Sequence, residues 1–164
     1  MSKIQCVTRT ALFLALALTV QMAGLPQKFT GPAVNGILFL SGIFVNPLSG
    51  ICIGILTPLL AFLRGILPGP LAPAIPFIML GNALFVYFSC LLFKRPLGLQ
   101  ICGVMAGAIT KFLVLSLAVN YLVNVPPAAA KILTLPQLFT ALLGGFAALF
   151  LAQILINILT PAEN

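Results

Sequence analysis

The sequence predicts an all-α integral membrane protein, a bundle of six transmembrane helices with both termini in the cytoplasm. Of its 164 residues, 62% are hydrophobic and only 5% are charged, whereas about a quarter of the residues of a typical soluble domain are charged. A membrane-spanning helix takes about 20 residues, so six such helices with short connections use the whole chain as one domain, residues 1–164. No length remains for a separate soluble domain.

Prolines, glycines and charged residues divide the apolar sequence into six segments. The second predicted span begins at Pro32, with Thr30 or Gly31 as its cap, and the third begins at Pro47 after the cap Asn46. Between the third and fourth spans, four prolines in residues 66–76 predict a connection without a helix. The predicted spans cover approximately residues 4–23, 32–45, 47–65, 77–93, 97–123 and 134–159.

The distribution of positive charge favours cytoplasmic termini, because cytoplasmic connections are enriched in lysine and arginine. In this orientation the inner ends of the spans carry Lys3, Arg9, Lys94 and Arg95. The outer connections carry Lys28, Arg64 and Lys131. The cysteines then lie near the cytoplasmic ends, where thiols stay reduced, and the long proline-rich connections lie outside. Long loops on one face predict a binding site that opens there.

The few polar side chains of this sequence exclude most catalytic and ion-coupled mechanisms. Glu163 is the only carboxylate side chain, and the sequence contains no histidine. The chain therefore lacks the titratable group with which ion-coupled transporters bind protons or sodium, and it cannot assemble a hydrolytic triad. It also lacks a phosphate-binding loop for ATP. We expect a binding protein rather than an enzyme.

We expect neither a metal site nor a cofactor, and no nucleic-acid partner. Four cysteines are present without a CxxC pair, and the simplest interpretation is that each is a small buried hydrophobe. They are Cys6, Cys52, Cys90 and Cys102. The net charge of +7 comes from cations scattered singly between apolar runs, which does not form the basic stripe that a nucleic-acid duplex requires.

Lys111 lies in the middle of the fifth predicted span. At 1.5 Å per residue, it is about 18 Å from the inner end of that helix, where a cation needs a partner or water. The structural alternative is that Lys111 reaches the membrane surface or hydrogen-bonds backbone carbonyls. It has far to reach and no acidic partner within the spans, so we favour a role in binding.

Further polar residues are predicted at the outer side of the same bundle. Each alone also fits an interhelical hydrogen bond or an interfacial anchor, so the prediction depends on their shared depth. The N-termini of the second, fourth and sixth spans add the positive ends of their helix dipoles at the same side. Together with the polar residues, they predict an electropositive pocket for a small carboxylate. We expect its apolar walls to include Phe77, Phe85 and Tyr121. The predicted substrate-binding residues are Lys28, Asn35, Arg64, Asn82, Lys111, Tyr121 and Gln137.

Small residues recur at four-residue spacing, which allows helices to approach closely. The pairs are Ala11/Ala15, Gly50/Gly54, Gly103/Gly107 and Ala141/Gly145. Packing within the bundle explains most such pairs.

The first pair belongs to the motif Thr10-Ala11-Leu12-Phe13-Leu14-Ala15, and the first connection reads Gly24-Leu25-Pro26-Gln27-Lys28-Phe29-Thr30-Gly31-Pro32-Ala33-Val34-Asn35. With these motifs, its length and its six predicted spans, the whole chain resembles the substrate-binding (S) components of energy-coupling factor (ECF) transporters, the vitamin-uptake systems of prokaryotes. The resemblance implies that Ala11 and Ala15 face a transmembrane coupling subunit, and that the first and third connections close over the ligand. It also implies a multi-pass location in the prokaryotic plasma membrane.

In this family two ATPase subunits supply energy through the coupling subunit, and the S component reorients to release its cargo inside. The chain departs from thiamin-type binders in lacking tryptophan, histidine and pocket acids. This favours an anionic vitamin, such as a pantothenate-, biotin- or folate-like carboxylate. Two alternatives stay open: a self-sufficient anion facilitator or channel, and a membrane assembly factor in which Lys111 pairs with an acidic helix of a partner.

Overall fold

The structure, a computed structural model, describes residues 2–159, so Glu163 lies outside the described residues. Within this range the chain is all-helical, about 85% helix without β-strands. It forms six helices of at least 17 residues and one short helix. They are α1 (Lys3–Met22), α2 (Gln27–Phe44), α3 (Pro47–Leu63), α4 (Ile75–Leu91), α5 (Leu97–Leu117), the short α6 (Pro127–Ile132) and α7 (Leu135–Leu159). A 3-10 helix (Gly69–Ala74) precedes α4, and a π-helical turn (Ala118–Leu122) extends α5.

Four helical segments are long and apolar enough to cross a membrane. They are α1 itself, α4 with its preceding 3-10 helix, α5 with its π turn, and α6 together with α7. Helix α3 is apolar but has only 17 residues. Helix α2 has 18 residues, and Gln27, Lys28 and Asn35 lower its hydropathy. These findings indicate an all-helical membrane protein.

Helix α2 begins at Gln27 rather than at Pro32, which corrects the expected start of the second span. The N-cap is Pro26, not Thr30 or Gly31. The carbonyl of Pro26 accepts hydrogen bonds from the backbone N–H groups of Phe29 and Thr30, at 2.9 and 3.2 Å. These bonds form the first turn ahead of Pro32, so that proline lies inside the helix.

Two connections between the predicted spans, residues 66–76 and 124–133, contain short helices. Residues 69–74 form a 3-10 helix despite their prolines, because the fixed φ of proline near −65° suits 3-10 geometry. The segment after Pro126 forms α6, with Pro127 in its first turn. The start of α3 agrees with the prediction, because Oδ1 of Asn46 accepts a 2.8 Å hydrogen bond from the backbone N–H of Ser49.

The main apolar core lies between α2, α3, α4, α5 and α7, and Ala17 of α1 is buried against it. The ring of Phe39 packs edge-on against Phe85, with centroids 6.4 Å apart, and against Phe93 at 6.0 Å. Glycine allows close contact between the backbones of α4 and α5, because a Cβ on Gly107 would lie 2.7 Å from the carbonyl oxygen of Phe85. A smaller cluster of buried residues lies at one end of the bundle and includes Leu71, Ala74, Ile78, Leu115 and Leu133.

At the opposite end of the bundle, hydrogen bonds between side chains join α1 to the start of α3. The hydroxyl of Thr10 lies 2.8 Å from Oγ of Ser49. The amide nitrogen of Asn46 donates to the sulfur of Cys6 at 3.1 Å. These hydrogen bonds hold α1 against the start of α3, beside a cavity of about 250 Å³ that Asn46 and Lys94 line. A cavity of about 410 Å³ lies at the other end of the bundle.

The cysteines differ in exposure, which corrects the expectation that all are buried. Cys52 and Cys102 lie exposed on the outward faces of α3 and α5. Cys6 and Cys90 are partly buried. A thiol is only weakly polar, so a cysteine is compatible with an apolar surface as well as with an apolar core. Exposed cysteines are therefore no surprise in a membrane protein.

Candidate functional site

A cavity of about 410 Å³ lies at the end of the bundle where the long connections meet. Its lining comes from the end of α1, the start of α2, the last turns of α3, the following connection, α4, α5, α6 and the start of α7. The apolar part includes Val34, Ala61, Leu71, Ile78 and Leu133. The volume falls in the range of small-molecule binding sites, about 300–1,000 Å³.

Lys111 of α5 lies at this cavity and is only 3% exposed. Its Nζ donates a 2.7 Å hydrogen bond to Oδ1 of Asn35 and lies 5.9 Å from the ring centroid of Phe85. Gly81 of α4 packs against its stem, since a Cβ there would lie 3.1 Å from Cγ of Lys111. The lysine is therefore held inside the bundle, and its ammonium group does not extend to the outer surface.

Asn35 of α2 fixes the position of the ammonium group. Its Nδ2 donates a 2.9 Å hydrogen bond to the backbone carbonyl of Gly31, one helical turn earlier. This bond turns Oδ1 towards Lys111. The contact supplies a neutral acceptor and no negative charge, so the protein positions the cation without neutralising it.

The positive charge of Lys111 has no carboxylate partner among residues 2–159, because that part of the sequence contains no Asp or Glu. An ammonium group has three N–H donors, and Asn35 is its hydrogen-bond partner within the described residues. The other donors are therefore left for a molecule in the cavity. Burial of an unpaired charge is costly, so an anionic ligand that completes the site would bind favourably.

Two further amides line the cavity with unused hydrogen-bonding capacity. Asn82 is 5% exposed, and its Nδ2 donates to the carbonyl of Gly54 at 2.9 Å, which leaves Oδ1 without a protein donor in residues 2–159. Gln137 of α7 is 8% exposed, and its side-chain amide has no hydrogen-bond partner within the same range. Both side chains line the cavity, so their free groups are available to a polar ligand there.

The structure brings four of the seven predicted binding residues together at the cavity: Asn35, Asn82, Lys111 and Gln137. It does not bring Lys28, Arg64 or Tyr121 to the lining.

Each of these three residues has a local reason to lie elsewhere. Lys28 is exposed, with its Nζ 5.2 Å from the centroid of the Phe29 ring. Arg64 is the exposed C-cap of α3. The inward face of α5 passes through Lys111, Leu115 and the π turn at Ala118. Tyr121 falls off that face and is 81% exposed.

The cavity walls are aliphatic, which corrects the expectation of aromatic walls. Phe77, Phe85 and Tyr121 are absent from the lining, and none of the lining residues among 2–159 is aromatic. Phe85 is instead fully buried in the main core against Phe39. Its ring lies 5.9 Å from Nζ of Lys111, so it is near the lysine without forming the cavity wall.

Sequence reasoning missed several polar lining residues, namely Gln21, Gln27, Thr30 and Thr57. Gln21 is notable because its Oε1 is buried without a hydrogen-bond partner in the described residues. It lies near the outer end of the first predicted span, at the depth that singled out the other amides. That signal was available in the sequence. Among residues 2–159, no group of three or more His, Cys, Asp or Glu side chains is placed to hold a metal ion.

The pairs of small residues separate into two kinds. Gly50/Gly54, Gly103/Gly107 and Ala141/Gly145 are buried between helices. Ala11 and Ala15 are exposed on α1 instead, where Ala17 is the only fully buried residue among 3–22. The family resemblance assigns Ala11 and Ala15 to a partner, and of the four pairs only this one is not buried within the bundle of residues 2–159.

The geometry of the cavity carries the functional argument, because comparison with known proteins identifies no relative. No protein-family model, curated protein or solved structure matches this chain.

Proposed function

We propose that this chain is the membrane-embedded substrate-binding subunit of an ATP-driven, ECF-type uptake transporter. It captures a small, vitamin-like, carboxylate-bearing metabolite from outside the cell. The observation that carries the proposal is the position of Lys111, a buried ammonium group at a cavity, held by the neutral amide of Asn35. A carboxylate completes such a site with charge-assisted hydrogen bonds.

The polar groups around Lys111 favour a small organic acid over an inorganic anion. Asn82 and Gln137 have unused hydrogen-bonding groups, and much of the remaining lining is aliphatic. A site of this kind matches a ligand that has one anionic group, a few polar groups and an apolar body. An inorganic anion would leave the apolar walls without a partner.

The need for partner subunits rests on what the sequence lacks and on the surface of α1. The chain has no phosphate-binding loop with which to use ATP. The exposed pair Ala11 and Ala15 provides a flat strip on which another helix can pack closely. We propose that a transmembrane coupling subunit docks there, and that two ATPase subunits act through it.

The proposed membrane arrangement has six spans in a single domain of residues 1–164, with both termini in the cytoplasm of a prokaryotic cell. It is supported by the position of the cavity, which lies at the end of the bundle where the long connections meet. In this arrangement α2 and α3 also cross, and their short apolar lengths are compensated by burial among the longer helices. The cavity then opens to the outside.

Binding and flux measurements with the purified chain test the proposal. Isothermal titration with a panel of anionic vitamins is expected to show binding, and liposomes containing the chain alone are expected to show no flux. Uptake is expected when the coupling subunit and the two ATPase subunits are added.

The two alternatives predict other results. Ligand-specific flux through the chain alone indicates a self-sufficient facilitator or channel. Absence of binding, together with loss of complex assembly in Lys111→Ala, indicates an assembly factor.

A further inference from the structure

We propose that the cavity selects an acyclic aliphatic carboxylate with a hydroxyl or amide group along its chain, rather than a ligand built on an aromatic or fused ring. This inference rests on the proposed function, because it takes the cavity to be the substrate site. It goes further by naming the chemical class of the substrate. Three features of the lining carry it: the walls, the unpaired amides and the volume.

The walls provide no surface on which a flat ring can stack. None of the lining residues among 2–159 is aromatic, although the chain contains 13 phenylalanines and two tyrosines. Aromatic rings prefer offset-stacked or edge-to-face contacts with other rings, and this cavity offers neither. Branched and cyclic aliphatic side chains form the walls instead, and they fit methyl and methylene groups. They include Val34, Pro58, Ile66, Leu71, Ile78 and Leu133.

The unpaired amides require polar groups on the ligand in addition to its carboxylate. The side chain of Gln137 is 92% buried, since 8% is exposed, and both its N–H donors and its carbonyl acceptor lack partners among residues 2–159. Oδ1 of Asn82 is a free acceptor, because its amide nitrogen is engaged with Gly54. A hydroxyl or a secondary amide both donates and accepts, so either group satisfies these residues. A simple fatty acid would bury these groups without partners, which weakens its binding.

The volume sets the size of the ligand. At about 30 Å³ per water molecule, a cavity of about 410 Å³ holds roughly 14 water-sized groups. This is the scale of a short chain with one carboxylate and a few polar substituents.

Titration of the purified full-length chain with matched probes tests this selectivity. Pantothenate and mevalonate are acyclic carboxylates with hydroxyl groups, and pantothenate also has an amide. Pantothenol replaces the carboxylate of pantothenate by a hydroxymethyl group, and hexanoate lacks the polar groups along the chain. Nicotinate, biotin and folate supply the ring-containing acids. We expect an acyclic hydroxy acid to bind at least tenfold more tightly than pantothenol, hexanoate and every ring-containing acid.

A substitution at Gln137 links the selectivity to the structure. Gln137→Met keeps the length of the side chain and removes its hydrogen bonds. It is expected to weaken binding of the preferred hydroxy acid about tenfold, the equivalent of about 1.4 kcal/mol, and to leave hexanoate binding unchanged. Asn157→Leu, an exposed position on the same helix, is the control and should change neither affinity.

The outcomes separate this inference from the proposed function. Tighter binding of nicotinate, biotin or folate than of both hydroxy acids overturns the inference and leaves an anion-binding site intact. Equal binding of pantothenate and pantothenol removes the carboxylate from recognition and overturns both proposals. If no acid binds, both proposals also fail. An equal loss of hexanoate and hydroxy acid binding in Gln137→Met overturns the assigned role of that amide.

Discussion

Nζ of Lys111 donates a 2.7 Å hydrogen bond to Oδ1 of Asn35, which joins α5 to α2 across 76 residues of sequence. Asn35 is itself oriented by its bond to the carbonyl of Gly31, one turn away. The pair fixes the direction of a buried ammonium group while adding no negative charge. This distinguishes it from an ion pair, in which the protein would supply the counter-charge itself.

Removal of this ammonium group should abolish most ligand binding. Lys111→Met keeps an unbranched apolar stem and deletes the charge. Each charged hydrogen bond lost is worth about 1.5–3 kcal/mol, so affinity for the anionic ligand is expected to fall roughly 10- to 150-fold. Isothermal titration of the purified variant measures the change.

Two other cations serve as controls for this substitution. Lys94 is exposed at the opposite end of the bundle, and Arg64 is exposed outside the cavity lining. Lys94→Met and Arg64→Ala should bind as the unsubstituted chain does. The sequence alone had assigned Arg64 to the site, so a loss of binding in Arg64→Ala would show that the cavity rearranges around the ligand.

The same lysine should limit the stability of the ligand-free protein. Lys111→Met alone leaves the Asn35 carbonyl without its donor, but the double variant Lys111→Met/Asn35→Leu removes both partners. Replacing both members of a buried polar pair by apolar groups of similar shape is close to neutral or stabilising. We expect the melting temperature of the double variant in detergent to equal or exceed that of the unsubstituted chain. A large decrease would indicate that the pair serves folding rather than binding.

The helices, and the level along them at which the polar residues of the site lie, were predictable from the sequence. Both depend on local patterns. Apolar runs separated by prolines located the long helices, and Asn46 before Pro47 located the start of α3. Lys111 was identified because a charged side chain within a membrane-spanning segment costs free energy whichever way it points, and so needs a specific reason to be there. The same reasoning placed Asn35, Asn82 and Gln137 at its depth, and all three line the cavity.

What the sequence did not predict was the direction in which side chains point, because direction depends on helix phase and on packing partners. The earlier start of α2 at Gln27 and the π turn after α5 change that phase locally. Tyr121 consequently points outward, with 81% of its surface exposed. Phe85 was predicted as a cavity wall but packs into the core. Contacts between distant segments decide these directions, and local pattern does not encode them.

Close packing of α5 against α4 predicts opposite effects for two glycine substitutions on one helix. A Cβ on Gly107 would lie 2.7 Å from the backbone oxygen of Phe85, and backbone cannot move aside easily. Gly107→Ala should therefore destabilise the protein by about 1–3 kcal/mol. Gly98→Ala has nothing within 4 Å of the new methyl group and should be neutral or stabilising by up to about 1 kcal/mol. Thermal unfolding in detergent compares them; equal effects would contradict the helix contact.

The exposed alanines of α1 should matter for transport and not for folding. Ala11→Leu and Ala15→Leu add bulk at exposed positions, so ligand affinity and melting temperature of the isolated chain should not change. Uptake by the complete transporter should be lost, because bulky residues prevent close helix docking. Ala17→Leu, at a fully buried position on the same helix, should lower the melting temperature. Loss of ligand binding in Ala11→Leu or Ala15→Leu would show that this face supports the bundle itself.

Cysteine labelling tests the proposed orientation, because the two ends of the bundle offer exposed glycines free of contacts. Gly69 lies beside the cavity, next to the lining residue Pro68, and Gly98 lies at the opposite end; both are exposed with nothing within 4 Å of a new Cβ. In a chain whose native cysteines are replaced by alanine, a membrane-impermeant maleimide should label Gly69→Cys in intact cells. It should label Gly98→Cys only after permeabilisation. The reverse pattern would place the cavity on the cytoplasmic side, and such a cavity cannot capture its ligand from outside.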